Sequence, residues 1–210
     1  NGGSGSASDV TQAYGSSVTL PTTGFTKTGY AFIGWNTSSV ATTAISSFTM
    51  PATNITLYAI YTMGNFTVSF DSNGGAGIAS PITQSFGTSV TLPAIGFSKT
   101  GYTFIGWNTS SSANTALSSY TMPGYNSVLY AIYTINQYSI AFNTAGGSAV
   151  QTITQNYGSA VIIPESPSKT GYTFTGWSPS IPDIIPAYNI TCVAQWSANS
   201  YIVNFNKNDS

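Results

Sequence analysis

The motif Gly-Tyr-x-Phe-x-Gly-Trp occurs three times, ending at Trp35, Trp107 and Trp177. The interval between these tryptophans is nearly constant along the chain. A Gly-Gly pair recurs in step with them, beginning at Gly2, Gly74 and Gly146. A fixed period of this length specifies an array of small similar domains and constrains the fold more than any local motif does. Arrays of this kind extend, present or polymerise, and they seldom catalyse.

The second repeat reads most clearly. Residues 66–70 (FTVSF) alternate apolar and polar and are rich in strand formers. Residues 71–75 (DSNGG) read as a turn, because Asn and Gly tolerate positive φ. A second strand ends near Phe86 and is broken by Gly87, and residues 89–92 are stopped by Pro93. The motif strand follows, then a polar loop, then a last strand over residues 127–133. The third repeat copies this pattern with a shorter loop. The stretch from Trp177 to Trp196 is shorter than that from Trp107 to Tyr133, and the loss falls just after Trp177. Beyond the loop the spacing is restored, as expected of a surface loop on a fixed frame.

Charge is scarce: 4% of the residues are charged, against roughly 25% in ordinary domains. The net charge is −1, with no histidine. No basic stripe exists to neutralise phosphates, so no nucleic-acid partner is expected. Without histidine or arginine the usual acid-base and oxyanion devices are missing, so the chain is expected not to be an enzyme. No Cys/His cluster could hold zinc, and no cofactor is expected. Cys192 is the single cysteine and is expected to pack as a small apolar side chain. No run is apolar and long enough to span a membrane as a helix. Asp71, Asn73, Asn143 and Asp209 lie in or near the Gly-rich turns, where turn chemistry explains them better than calcium binding does.

The motif core at residues 26–35 (TKTGYAFIGW), with its counterparts at 98–107 and 168–177, resembles the Listeria–Bacteroides repeat, or internalin B-repeat, family. So do the endings at residues 50–61 (MPATNITLYAIY), 122–133 and 185–196. The resemblance covers essentially the whole chain. It implies a mainly-β fold of α+β, β-grasp-like repeats. It also implies an extracellular place on a bacterial cell surface, where such repeats form stalks or adhesive arrays.

The expected organisation is repeat 1 at residues 1–63, repeat 2 at 64–135 and repeat 3 at 136–198, with short linkers at 62–65 and 134–137. Repeat 1 begins after the point where its first strand belongs. Residues 199–210 hold the first strand of a further repeat, with Tyr201, Val203 and Phe205 in the places of Phe66, Val68 and Phe70. That strand is a candidate donor. It completes the sheet of a repeat lacking its own opening strand, in a neighbouring copy or in the continuing polypeptide, with its three apolar residues pointing into a core. The expected partners are copies of the chain, head to tail, or further repeats of the same polypeptide.

Tyr30, Phe32, Trp35, Tyr102, Phe104, Trp107, Tyr172, Phe174 and Trp177 are expected as the buried core of the repeats rather than as a sugar platform, because small domains rely on large aromatics for burial. Lys27, Lys99 and Lys169 share one phase and are expected to be solvated residues before a turn. Asn-x-Ser/Thr sequons at Asn36, Asn54, Asn65, Asn108, Asn189 and Asn208 mark candidate surface glycan sites. The leading functional reading is a non-catalytic structural protein, either a stalk or a filament joined by strand complementation. The alternative is an adhesin repeat that binds a glycan or a host surface protein.

Overall fold

The computed structural model describes residues 1–94 and 96–207. Their regular structure is all β, in three repeats. Repeat 1 contributes β1 (Ser17–Val18), β2 (Tyr30–Asn36), β3 (Phe48–Thr49) and β4 (Tyr58–Met63). Repeat 2 contributes β5 (Asn65–Asp71), β6 (Ile82–Ser85), β7 (Tyr102–Asn108) and β8 (Ser127–Ile135). Repeat 3 contributes β9 (Gln137–Asn143), β10 (Ile153–Asn156), β11 (Tyr172–Ser178) and β12 (Ile190–Ala198).

The sheet of repeat 2 has the order β6-β5-β8-β7, and that of repeat 3 the order β10-β9-β12-β11. The opening strand therefore lies inside the sheet. It is antiparallel to its hairpin partner, with Val68 opposite Ile82, and parallel to the last strand, with Phe70 opposite Leu129. Alternation along β5 turns Val68 into the core, where it is fully buried. Side chains hold the register as well. Asn126 Oδ1 accepts the Thr67 N–H at 2.9 Å, and Asn189 Oδ1 accepts the Ser139 N–H at 2.9 Å.

The α part of the expected α+β fold is not found: no helix occurs among the described residues. A parallel pair needs a long crossover, most often helical. Here the chain after β6 carries Ser89, Val90, Thr91 and Pro93, which favour extended backbone and stop a helix. It forms a small ladder instead, in which Val90 donates to the Tyr120 carbonyl and Met122 to that of Thr88, both at 2.8 Å. The pair β1 and β3 is the same ladder in repeat 1, and the Ala160 and Ile184 bridge is its counterpart in repeat 3. Val90 and Met122 are buried by it.

The turns behave as their composition requires. Asn73 has φ 50, and its N–H bonds Asp71 Oδ1 at 2.7 Å. Ala145 has φ 49, and its N–H bonds Asn143 Oδ1 at 3.0 Å. Gly106, just before Trp107, has φ 132, and a Cβ there would stand 2.7 Å from that of Ala116. Backbone conformation and close approach thus both require glycine.

The expected four-residue linkers reduce to single residues, Gly64 between β4 and β5 and Asn136 between β8 and β9. Two compact units emerge: Asn1–Phe97 with Gly106–Ile132, and Ser98–Ile105 with Tyr133–Ser210. Their boundary cuts through repeat 2 rather than between repeats, so each unit contains one whole repeat junction. In the first unit Trp107, Ile60, Met122, Leu129 and Ile132 are the largest buried side chains. In the second, Ile140, Ile185 and Cys192 form a buried cluster packed by Phe142 and Trp177.

Candidate functional site

The motif aromatics line the sheets with unequal burial. Trp107 is 1% exposed, whereas Tyr30, Phe32, Trp35, Tyr102, Phe104, Phe174 and Trp177 are half-buried. Tyr172 departs from the expected burial, at 43% exposed. Each tryptophan sits in an aromatic group. Trp107 meets Phe70 and Phe97, both at 4.7 Å between ring centroids, and donates its indole N–H to the Pro93 carbonyl at 2.7 Å. Trp177 meets Phe142 at 4.9 Å. Trp35 meets Phe25 and Phe32 and bonds the Pro21 carbonyl at 2.7 Å.

The three phased lysines are not simply solvated. Each ammonium lies between two rings on adjacent strands: Lys27 is 4.4 Å from Tyr30 and 5.7 Å from Tyr61. Lys99 is 5.0 Å from Tyr102 and 5.5 Å from Tyr133, and Lys169 is 4.5 Å from Tyr172 and 5.7 Å from Trp196. Quadrupolar attraction to the ring faces holds the side chain half-buried. The recurring Lys-x-Gly-Tyr spacing was the signal for this clamp, since it places cation and ring on either side of one turn.

The junctions between repeats are built by one set of contacts used twice. In the first unit Gly29 O accepts the Gly64 N–H at 2.8 Å, and Gly64 O accepts the Phe86 N–H at 2.9 Å. The Phe86 ring lies so close over Gly29 that a Cβ there would overlap it, and it meets Tyr30 edge-on at 6.0 Å. In the second unit Gly101 O accepts the Asn136 N–H, and Asn136 O that of Tyr157, both at 2.9 Å. The Tyr157 ring covers Gly101 in the same way and meets Tyr102 at 6.2 Å. An aromatic residue directly before a glycine recurs at Tyr14, Phe86 and Tyr157. That recurrence could have revealed the junction, but in the sequence Phe86 reads only as the end of a strand.

At the C-terminal end, residues 201–205 are exposed and outside any strand in the single chain. Tyr201, Val203 and Phe205, expected to enter the core of a neighbouring copy or of a further repeat, are 76%, 73% and 95% exposed in the single chain. The chain nevertheless leaves β12 as it leaves β8: Asn199 Nδ2 donates to the Tyr201 hydroxyl at 3.4 Å, as Asn136 does to Tyr138 at 3.3 Å.

Of the sequon asparagines, Asn36 and Asn108 close their own loops, each donating Nδ2 at 2.9 Å, to the Thr43 and Thr115 carbonyls respectively. Asn65 accepts from Ser85, and Asn189 from the Ser139 backbone. Asn54 is exposed, and Asn208 lies outside the described residues. Cys192 is buried, and burial pushes its thiol pKa up. No cluster of His, Cys, Asp or Glu among the described residues could hold a metal ion. No helix among them is long and apolar enough to cross a membrane, which says nothing of strands.

Three tandem repeats sharing a motif strand, and joined by a ring-on-glycine junction, define a tandem β-repeat protein. The chain belongs to the Listeria-Bacteroides repeat domain family, whose model matches residues 1–60, 66–132 and 138–181. It is 35% identical over 220 residues to a protein of Evansella cellulosilytica that bears the name of a membrane protein, across 100% of this chain and 32% of that one. It is 31% identical to a second Evansella protein, named as a Gly-rich membrane protein, across 96% of this chain and 26% of that one. It is also 38% identical over 112 residues to Internalin H of Listeria monocytogenes, across 48% of this chain and 20% of that protein. The chain thus spans about a third or less of the length of these relatives.

Proposed function

We propose that this chain is a non-catalytic structural segment of an extracellular, cell-surface bacterial protein. Its repeats, at residues 1–63, 64–135 and 136–198, stack head to tail as a stalk or filament. Repeats 2 and 3 each begin with their own opening strand, one residue after the last strand of the repeat before. The observation that carries this reading is the junction, made twice with the same backbone bonds and a ring over the same glycine. Single-residue linkers and shared backbone bonds stiffen an array, whereas flexible display of independent modules needs longer linkers. The names of the relatives, two membrane proteins and an internalin, support a surface location.

Strand complementation follows from the register inside repeats 2 and 3. Residues 201–205 of one chain would run parallel beside the segment that leads into β4 of a second, with Phe205 opposite Leu57 as Phe70 is opposite Leu129. Asn54 Oδ1 would accept the Ile202 N–H, as Asn126 accepts that of Thr67. Added strands of this type gain main-chain bonds and fill alternate pockets, and a head-to-tail contact that does not close gives an open filament. Deleting residues 200–210 and imaging the protein by electron microscopy tests this, with loss of head-to-tail assembly as the expected result. Micromolar binding on a glycan array, abolished by changing one exposed aromatic, would instead favour the adhesin reading.

A further inference from the structure

The small ladder beside each sheet is built alike in the three repeats, yet its outer face changes character in repeat 3. Ala160 pairs with Ile184 as Ser89 pairs with Thr121 and Ser17 with Thr49. The outward positions of repeats 1 and 2 are hydroxylated: Ser17, Thr19 and Thr49 in one, Ser89, Thr91 and Thr121 in the other, all exposed. In repeat 3 the same positions hold Ala160, Ile162 and Ile184. None of the three is drawn into the core: Ile162 is 81% exposed and Ile184 54%. Ile162 lies diagonally across from Ile184, within reach of it on one face. Ile163, on the other side of the same segment, is 68% exposed, whereas its counterparts Leu20 and Leu92 are half-buried. Single exposed isoleucines are ordinary, but a contiguous apolar face confined to one repeat marks an interaction site.

The same ladder carries carboxylates that neither of the others has. Glu165 follows Pro164 where Thr22 follows Pro21 and Ala94 follows Pro93. Asp183 precedes Ile184 where Phe48 precedes Thr49 and Tyr120 precedes Thr121. Both acidic residues are exposed. Lys169, the one cation in residues 136–198, is committed elsewhere, between the Tyr172 and Trp196 rings and on the Ala145 carbonyl at 2.8 Å. The ladder also has a free edge. Val161 donates to the Asp183 carbonyl and Ile185 to that of Ser159, both at 2.9 Å, so the backbone groups of Ala160 point away from Ile184. Among the described residues the N–H groups of Ala160 and Ile162 have no backbone acceptor.

We propose that the edge at residues 160–162, with its face of Ile162 and Ile184, takes an extended segment of a partner polypeptide, apolar at alternate positions and bearing lysine or arginine. The added strand pairs with the N–H and C=O groups of Ala160 and Ile162. Its apolar side chains cover the two isoleucines, and its cations meet Glu165 and Asp183. Charge selects this occupant. Two exposed carboxylates beside an apolar face repel an acidic segment and an anionic lipid surface alike. Repeats 1 and 2 offer the same edge with a hydroxylated face and no carboxylate, so the partner is addressed to one repeat of the array. The site is independent of the head-to-tail reading above, since it uses neither an opening strand nor residues 199–210.

The test uses the whole chain of residues 1–210 and two synthetic peptides. Each alternates valine with threonine, and the ends carry lysine in one and glutamate in the other. Binding is followed by calorimetry, and amide exchange of Ala160 and Ile162 by NMR. The lysine peptide is expected to bind and to slow exchange at both amides, because an added strand takes up their hydrogen bonds. The glutamate peptide is expected to bind about tenfold more weakly or not at all. The double change Ile162→Thr with Ile184→Thr restores the residues of repeats 1 and 2, so the fold is kept. It is expected to weaken binding about tenfold or more, as loss of interface anchors does. Glu165→Gln with Asp183→Asn is expected to cost about three- to tenfold and to flatten the salt dependence. Equal binding of both peptides, equal binding by the threonine variant, or no binding of the lysine peptide at millimolar concentration overturns the proposal. Self-association of the wild type in sedimentation velocity, lost in the threonine variant, overturns the cationic segment as occupant in favour of a second copy.

Discussion

Leu57 and Leu129 hold the same place in successive repeats, yet Leu129 is fully buried and Leu57 half-buried. Met122 and Ala131 are likewise fully buried where Met50 and Ala59 are half-buried. Ile60 and Ile132, by contrast, are equally buried, at 2% and 1% exposed. The difference is therefore clearest on the side of the sheet that Leu57 and Ala59 face. In repeat 2 β5 pairs alongside β8, its Val68 is fully buried, and its Phe70 ring lies against the motif tryptophan. In repeat 1, among the described residues, β4 pairs with β2 alone, and the segment equivalent to β6, residues 10–13, is exposed and outside any strand. One strand thus decides two things at once, the closure of the core and the folding of its hairpin partner.

The largest expected consequence is at the tryptophans. Trp107→Ala should cost roughly 3–5 kcal/mol, as large aromatic truncations in closed cores do. Trp35→Ala should cost about 1–2 kcal/mol less, because Trp35 is already partly solvated. Denaturant unfolding of both variants measures this, and equal costs would break the comparison. At the leucines, Leu129→Ala should cost roughly 2–5 kcal/mol, and Leu57→Ala no more than about half of that. A peptide spanning residues 201–207 added in trans should enlarge the Leu57→Ala cost if the strand docks, which sharpens the comparison directly. A smaller effect tests what the two repeats share. Lys27→Met and Lys99→Met should each cost only about 0.5–1 kcal/mol, and equally, because the cation clamp does not involve the opening strand. The smallest expected signal comes from repeat 3, whose opening strand β9 is in place. Cys192 should resist alkylation in the native chain and react only on unfolding, since it is buried with a raised thiol pKa.

Hydrogen exchange gives the same contrast without mutation. The Tyr130 amide, in a strand flanked on both sides, should exchange more slowly than that of Tyr58, whose strand has one neighbour.

Much of the repeat frame was legible in the sequence. The alternation at residues 66–70 marks β5, the motif marks β7, and the shortened loop after Trp177 shows as a change in spacing with the flanks held. These are local signals, readable because side-chain direction alternates along a strand whatever it pairs with. The crossover without a helix was less visible, since the resemblance implied an α+β repeat while Pro93 and the β-branched residues before it pointed the other way. The lysines read as solvated because a cation's ring partners come partly from another strand: Tyr133 is remote from Lys99 in the chain and beside it in the fold.

By itself, then, the sequence determined the period, the strands, the glycine-dependent turns and the place of each aromatic in its repeat. Only the tertiary structure decided which aromatic covers which. Phe70 comes to rest on Trp107, and Phe86 on Gly29, through pairings between residues far apart in the chain. The single-residue joints at Gly64 and Asn136 were decided at the same level, because a linker's length depends on where two strands stop pairing. The physical reason is that backbone conformation is set by neighbours in sequence, whereas burial is set by whichever strand arrives alongside. Two repeats with the same motif can therefore differ in their cores, as Trp35 and Trp107 do.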